Sequence, residues 1–168
     1  MQRGKAIAGS TLFLFVAPGT VAGLIPWLIS RWRFSEPFFG VGAFRVLGVV
    51  LMAAGLPVLL SAFARFALQG LGTPSPSAPP ERLVVTGWYR HVRNPMYVAV
   101  VSLIFGQGLL FGNAGVLAYG LVAWVVFHVF VLAREEPRLR GRFGAEYQEY
   151  CAHVRRWIPR VRPWSSSR

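Results

Sequence analysis

Residues 81–97 read ERLVVTGWYRHVRNPMY, a Gly-Trp-Tyr turn, a basic cluster and an Asn-Pro break set directly before a long apolar run. A second polar knot, Arg134-Glu135-Glu136-Pro137, closes the next apolar run. Ionisable residues at the mouth of a membrane helix are costly to hold there, so they mark a site. Two helices that carry such groups at the same end can enclose a pocket at the membrane surface. In the first knot, Pro95 disfavours helix at Asn94 and suits the first turn of the helix that follows. The free backbone N–H groups of that turn suit a carboxylate or another anion, and Arg90 and Arg93 add positive charge. The plain alternative is a pair of snorkelling arginines with a capping Asn94.

In the second knot, adjacent carboxylates point to different sides of a helix. One of Glu135 and Glu136 faces the bundle; the other faces water or Arg138, Arg140 and Arg142. His128 lies seven residues before Glu135, two turns away on the same face, so Trp124, His128 and Glu135 line one inward stripe. A lone histidine there is more often a hydrogen-bonded packing residue. Tyr89 and Tyr97 flank the basic cluster and are the stronger hydroxyl candidates, whereas Gln107 and Tyr119 read as packing or interhelical hydrogen bonds. Arg65 sits at the cytoplasmic end of its apolar run, near the pocket; Arg45 belongs at the far membrane face. Cys151, His153 and Arg155-Arg156 show no catalytic spacing. With one cysteine, three histidines and no aspartate, no metal site is expected. There is no GxGxxG, P-loop, GxSxG or HExxH pattern, so a cofactor must be held by the membrane helices and the C-terminal tail.

The elements that position these residues follow from composition. Of 168 residues, 54% are hydrophobic and 14% charged, far fewer charges than the roughly one quarter of a soluble domain. The expected fold is an all-α integral membrane protein of one domain with four spans, at about 6–30, 41–68, 96–112 and 114–134. The first two form an N-terminal half, 1–68. A Pro/Ser-rich loop at 69–82 opposes helix and strand, and 83–168 is the half that carries the polar knots. Arg3 and Lys5 before the first run resemble a signal peptide, but the run is long for one and a retained helix is expected. Pro57 predicts a kink. Gly112-Asn113 makes a tight hairpin of the last two spans, with Gly106, Gly108, Gly112, Gly115, Ala118, Gly120 and Ala123 letting them approach. Leu139, Phe143, Tyr147 and Tyr150 predict an amphipathic helix over 138–154, a membrane-surface anchor or a lid, followed by an extended end at Trp157-Ile158-Pro159. The net charge of +12 lies at the ends of apolar runs and in the tail, which reads as cytoplasmic flanks and not as a nucleic-acid surface. Both termini are then cytoplasmic, leaving Arg31, Arg33 and Arg45 on the far side.

Taken in order, Leu83-Val84-Val85-Thr86-Gly87-Trp88-Tyr89, Arg93-Asn94-Pro95-Met96-Tyr97, Glu135-Glu136, Leu139, Phe143-Gly144-Ala145-Glu146-Tyr147-Gln148-Glu149-Tyr150 and Arg156-Trp157-Ile158-Pro159 resemble the isoprenylcysteine carboxyl methyltransferases and the related phospholipid methyltransferases. The resemblance covers the C-terminal half; the N-terminal half matches nothing specific and is expected to shape the acceptor site. It implies a membrane enzyme that transfers a methyl group from S-adenosylmethionine to a lipophilic acceptor that enters from the bilayer. Carried over by position, Tyr89, Arg93, Asn94, Pro95, Tyr97, Glu135 and Glu136 become cofactor-site residues, with the carboxylates on the ribose hydroxyls or the amine and Arg93 on the cofactor carboxylate. Asn94 stands where the family more often has His and cannot become cationic near neutral pH. The acceptor stays open among carboxylate, amine and thiol. Arg65 would partner a carboxylate, and His128 or Tyr97 would assist an amine or thiol. The competing classes are a sterol-reductase-like enzyme using a nicotinamide, and a non-catalytic scaffold or small transporter.

Overall fold

The computed structural model describes residue 12 and residues 15–69 and 82–165. The start of the first apolar run and most of the Pro/Ser-rich loop lie outside the described residues. Among the described residues every regular element is helical. Helix α1 runs Phe15–Ser30, α2 Ala43–Gln69, α3 Pro95–Phe111, α4 Ala114–Phe130 and α5 Glu136–His153. Two are long and apolar enough to cross a membrane: α2 over Ala43–Arg65, and the continuous helix that α4 begins. α1 and α3 are shorter apolar helices. Both α2 and α4 turn apolar side chains outward, among them Val46, Val50, Leu121, Val122 and Val126.

Prolines shape the helices in two ways. α2 continues through Pro57 as one helix. α1 instead widens into a π-turn at Thr20–Leu24, and α4 does the same at Val131–Glu135 before α5. Each π-turn ends two residues before a proline, Pro26 or Pro137. A proline ring crowds the carbonyl four residues back and cannot donate to it, and widening relieves the clash. At Pro26 that carbonyl is Ala22 O, and Gln107 Nε2 donates to it at 2.6 Å. Trp32 Nε1 donates to Gln107 Oε1 at 3.1 Å and Tyr119 Oη to Val21 O at 2.9 Å. Gln107 and Tyr119 thus tie α1 to α3 and α4.

α3 is central. Gly112 (φ 67°) ends it in the left-handed conformation, and Asn113 caps α4 by accepting from Val116 N at 3.0 Å. Gly108 admits Leu117 of α4, as expected of the hairpin. Gly106 does something else: a Cβ there would lie 2.8 Å from Gly48 O and 2.6 Å from Met52 Cγ on α2. It therefore serves the α2–α3 seam and not the hairpin. At the far end, Arg45 Nη2 donates to Ser35 O at 2.6 Å and its guanidinium lies over Phe34.

The C-terminal region docks beside the start of α3. α5 is broken at Gly144 (φ 52°, ψ −123°), and the tail then lies along residues 90–93. Arg93 N donates to Arg155 O at 2.9 Å, Arg160 N to His91 O at 2.9 Å and Trp164 N to Arg90 O at 3.0 Å. The expected extended end is thus a strap across the first polar knot.

Candidate functional site

The segment before α3 is extended, so successive side chains alternate. Val84 packs with Ala62 of α2 and with Tyr89. Leu83 and Val85 turn the other way, onto Tyr147, Tyr150 and Val154 of α5 and the tail. Gly87 then takes φ +56°, and a Cβ there would collide with the Arg65 guanidinium. The 3₁₀ turn Gly87–Arg90 buries Tyr89, whose carbonyl accepts from Tyr150 Oη at 2.6 Å. Much of the Leu-Val…Tyr and Phe-Gly…Tyr pattern is therefore a joint between α5 and this loop.

A clamp lies above the joint. The Glu136 side chain is 5% exposed and lies between three guanidinium groups. Arg156 reaches it with two bonds, 2.6 and 3.0 Å, Arg93 Nη1 lies 3.2 Å away, and the exposed Arg140 3.6 Å away. Arg93 Nη1 also donates to Cys151 Sγ at 2.7 Å, while Arg93 Nε is buried with no hydrogen-bond partner among the described residues. Asn94 caps nothing with its side chain; its Nδ2 donates to Arg156 O at 3.2 Å and ties the tail to the start of α3.

Beside the clamp sits an aromatic group. Tyr97 Oη donates to Glu135 Oε2 at 3.1 Å. The Tyr97 ring lies 4.9 Å from Phe127 and 6.5 Å from Trp157. Trp157 Nε1 donates to His128 Nδ1 at 2.9 Å, and Trp124 stacks on His128 at 5.4 Å.

The adjacent carboxylates are driven apart. Burial raises the Glu135 carboxyl above the usual glutamate value, and the Tyr97 hydrogen bond offsets this only in part. Burial would also raise Glu136, but the Arg156 hydrogen bond with the charges of Arg93, Arg156 and Arg140 brings it below. Environments that split a carboxylate pair assign the two members different roles. Glu136 is engaged by three guanidinium groups; Glu135 accepts from Tyr97.

The predicted site residues therefore divide. Tyr97, Glu135 and His128 gather around Phe127 and Trp157. Arg93, Asn94 and Glu136 gather in the clamp, with Pro95 opening the helix between the two groups. Glu136 does not face water, and Arg93 is not a free cation. The π-turn at Val131–Glu135 changes the helix phase between His128 and Glu135; Trp124 stacks on His128, His128 bonds Trp157 and Glu135 bonds Tyr97. Arg65 is exposed and lies against Gly87; Tyr89 is buried in the joint. Trp157 and Cys151 were not singled out as site residues. The tail's aromatic within Arg-Trp-Ile-Pro was the signal for Trp157; spacing offers none for Cys151.

Comparison with known proteins fits this geometry. A family model described as phospholipid methyltransferase matches residues 43–146, from the start of α2 into α5. A protein of Haemophilus influenzae named only as uncharacterized is 33% identical over 63 residues, which is 38% of this chain and the whole of that protein. The protein-S-isoprenylcysteine O-methyltransferase of Schizosaccharomyces pombe is 35% identical over 80 residues, 47% of this chain and 34% of the relative. A Delta(14)-sterol reductase of Gallus gallus is 29% identical over 83 residues, 47% of this chain and 13% of the relative. The chain thus spans 34% and 13% of the length of these two named relatives. With more than half of its residues matched by one family model, from α2 into α5 with both polar knots included, the chain belongs to the phospholipid methyltransferase family.

Proposed function

We propose that the chain is an S-adenosylmethionine-dependent membrane methyltransferase acting on a lipophilic acceptor, most like a protein-S-isoprenylcysteine O-methyltransferase, with a phospholipid, an amine or a thiol as the alternative acceptor. The observation that carries this reading is the Tyr97–Glu135 hydrogen bond beside the clamp, inside the span matched by the family model. The residues fit the cofactor. Arg93 Nε is a buried donor without an acceptor among the described residues and suits a carboxylate. Glu135 accepts from Tyr97 and keeps lone pairs for hydroxyls or an amine. The rings of Tyr97, Phe127 and Trp157 offer faces to a cation.

When bound, the cofactor supplies an electrophilic methyl group on a sulfonium. The chain's own part is positioning, since an in-line displacement depends on holding the reacting atoms close and aligned. Glu135 and Tyr97 orient from the bundle side. The strap that carries Trp157 shields the site from water. Four spans with both termini cytoplasmic complete the reading, with α1 to α4 as the spans. The seventeen residues of α3 rise about 26 Å at 1.5 Å each, a little short of a ~30 Å hydrocarbon core, so in this reading the bilayer thins or the polar residues at its start snorkel to the headgroups. The bilayer is then the chain's partner and the route of the acceptor.

A nicotinamide-dependent reductase is the second reading, favoured by the match to the Gallus gallus sterol reductase. Calorimetric titration of the full chain in lipid nanodiscs with S-adenosylhomocysteine, and with NADPH in parallel, separates the two. Saturable binding of the former, weakened roughly ten- to a hundredfold by Glu135→Gln as for loss of a charge-assisted hydrogen bond, supports the methyltransferase. Binding of NADPH alone overturns it.

A further inference from the structure

We infer that Trp157 fixes the tautomer of His128, making it an N–H donor at Nε2 and not a base, so that Trp157 is a positioning residue of the site. An indole N–H can only donate. With Trp157 Nε1 2.9 Å from His128 Nδ1, that nitrogen must accept and carries no proton. A neutral imidazole has one proton, which then sits on Nε2. The other two histidines give the opposite result. His91 Nδ1 lies 2.8 Å from Arg160 O and His153 Nδ1 2.9 Å from Glu149 O; a carbonyl only accepts, so both Nδ1 atoms are protonated. His128 alone among the three has its Nδ1 lone pair engaged.

The indole is held from both sides in the chain. Arg155 O and Arg160 N are bonded to the 91–93 loop, Arg156 is paired with Glu136, and the rings of Tyr97, Trp124 and His128 lie 5.8–6.5 Å from it. Trp157 lies beyond the residues matched by the family model, so the device belongs to this chain's tail. Its consequence rests on the methyl-transfer reading. The neutral ring's one lone pair is occupied, so His128 cannot take a proton from an acceptor while the strap is docked. It meets an acceptor as a donor, which suits an anionic nucleophile and does nothing to deprotonate an ammonium.

The test is nitrogen NMR of the full chain, labelled with ¹⁵N-histidine in lipid nanodiscs and assigned by single His→Gln variants. The expected spectrum of the neutral protein has one histidine protonated at Nε2, lost in His128→Gln, and two protonated at Nδ1. Trp157→Phe, which keeps a ring and removes the donor, should turn the His128 signal into a mixture of tautomers and leave the other two unchanged. A His128 protonated at Nδ1 in the wild type, or one unaltered by Trp157→Phe, overturns the inference. If the variant undocks the strap, seen as a changed His91 signal, the wild-type spectrum alone decides. Titration of the same sample with S-adenosylhomocysteine reads the methyltransferase proposal separately, since its failure leaves the tautomer where it was.

Discussion

Replacing Glu136 by Gln removes one charge from between three guanidinium groups. Two of the three are not free to find water: the Arg93 side chain is 10% exposed and that of Arg156 27%. Arg140, 58% exposed, simply turns away. Leaving a buried cation without its counter-charge costs about 3–5 kcal/mol, whereas an exposed pair is worth about 1 kcal/mol at most. Because Glu136 starts α5, Arg93 precedes α3 and Arg156 is in the strap, the cost falls on the docking of the C-terminal region. For a chain of this size, 3–5 kcal/mol lowers Tm by roughly 6–20 °C. The assay is thermal unfolding in nanodiscs, with limited trypsin digestion to read exposure of the arginines in the strap. Arg140→Ala, the control, should move Tm by a few degrees at most. If Glu136→Gln and Arg140→Ala behaved alike, the clamp would be no more than a surface ion pair and the reasoning from burial would be wrong.

Tyr97→Phe removes a hydrogen bond that lowers the Glu135 carboxyl, so its proton should be held to a still higher pH; ligand binding that needs the carboxylate should fade at correspondingly higher pH, read by titration at several pH values. The two glutamates oppose each other in stability. Glu136, depressed from the ordinary value of 4.5, stabilises the fold above that value and loses its contribution as pH falls through the lower folded value. Glu135, raised from 4.5, does the reverse: between the two values the fold holds a proton the unfolded chain has released, so its contribution declines as pH rises there. The Glu135→Gln variant should therefore lose that second slope in melts taken at rising pH above the ordinary value of 4.5. Gly87→Ala should destabilise by about 1–2 kcal/mol from the left-handed backbone alone and by more through collision with Arg65; pairing it with Arg65→Ala should recover the second part but not the first. Gly106→Ala, which drives a methyl toward Gly48 O, should cost about 1–3 kcal/mol by overpacking.

What the sequence made legible is what short-range rules control. The helices over 43–69, 95–111 and 114–130 lie where apolar runs and turn residues put them, and the Gly112-Asn113 hairpin is formed by the residue types that favour a left-handed end and an N-cap. The helix break at Gly144 and the two π-turns are not legible from local pattern; at the first π-turn the carbonyl four residues before Pro26 is satisfied by Gln107, a partner 85 positions away. Counting from His128 to Glu135 at 3.6 residues per turn presumes an unbroken helix, which the π-turn at Val131–Glu135 interrupts. Charge was harder still. Arg93 and Glu136 are 43 positions apart in the chain, and nothing in their spacing reveals that they pair or that the strap brings Arg156 to the same carboxylate.

The division of the two knots follows from this long-range pairing. Residues that look alike in sequence, Glu135 and Glu136, differ in which partners the fold delivers to them. Glu136 receives three arginines and is fully engaged; Glu135 receives the Tyr97 phenol and the more distant charge of Arg138. A clamp needs charge neutralised, and a binding site needs charge and lone pairs left over. The same substitution at adjacent positions should therefore separate two properties: Glu136→Gln should lower Tm first and weaken ligand binding only through the loosened strap, whereas Glu135→Gln should weaken binding with little loss of stability. Restoring the strap tests the order of cause. A covalent tie between loop and tail, such as a disulfide introduced across the backbone-bonded pair His91 and Arg160, should recover ligand binding in the Glu136 variant and leave the Glu135 variant as weak as before. Recovery in both, or in neither, would mean that the two carboxylates share one role.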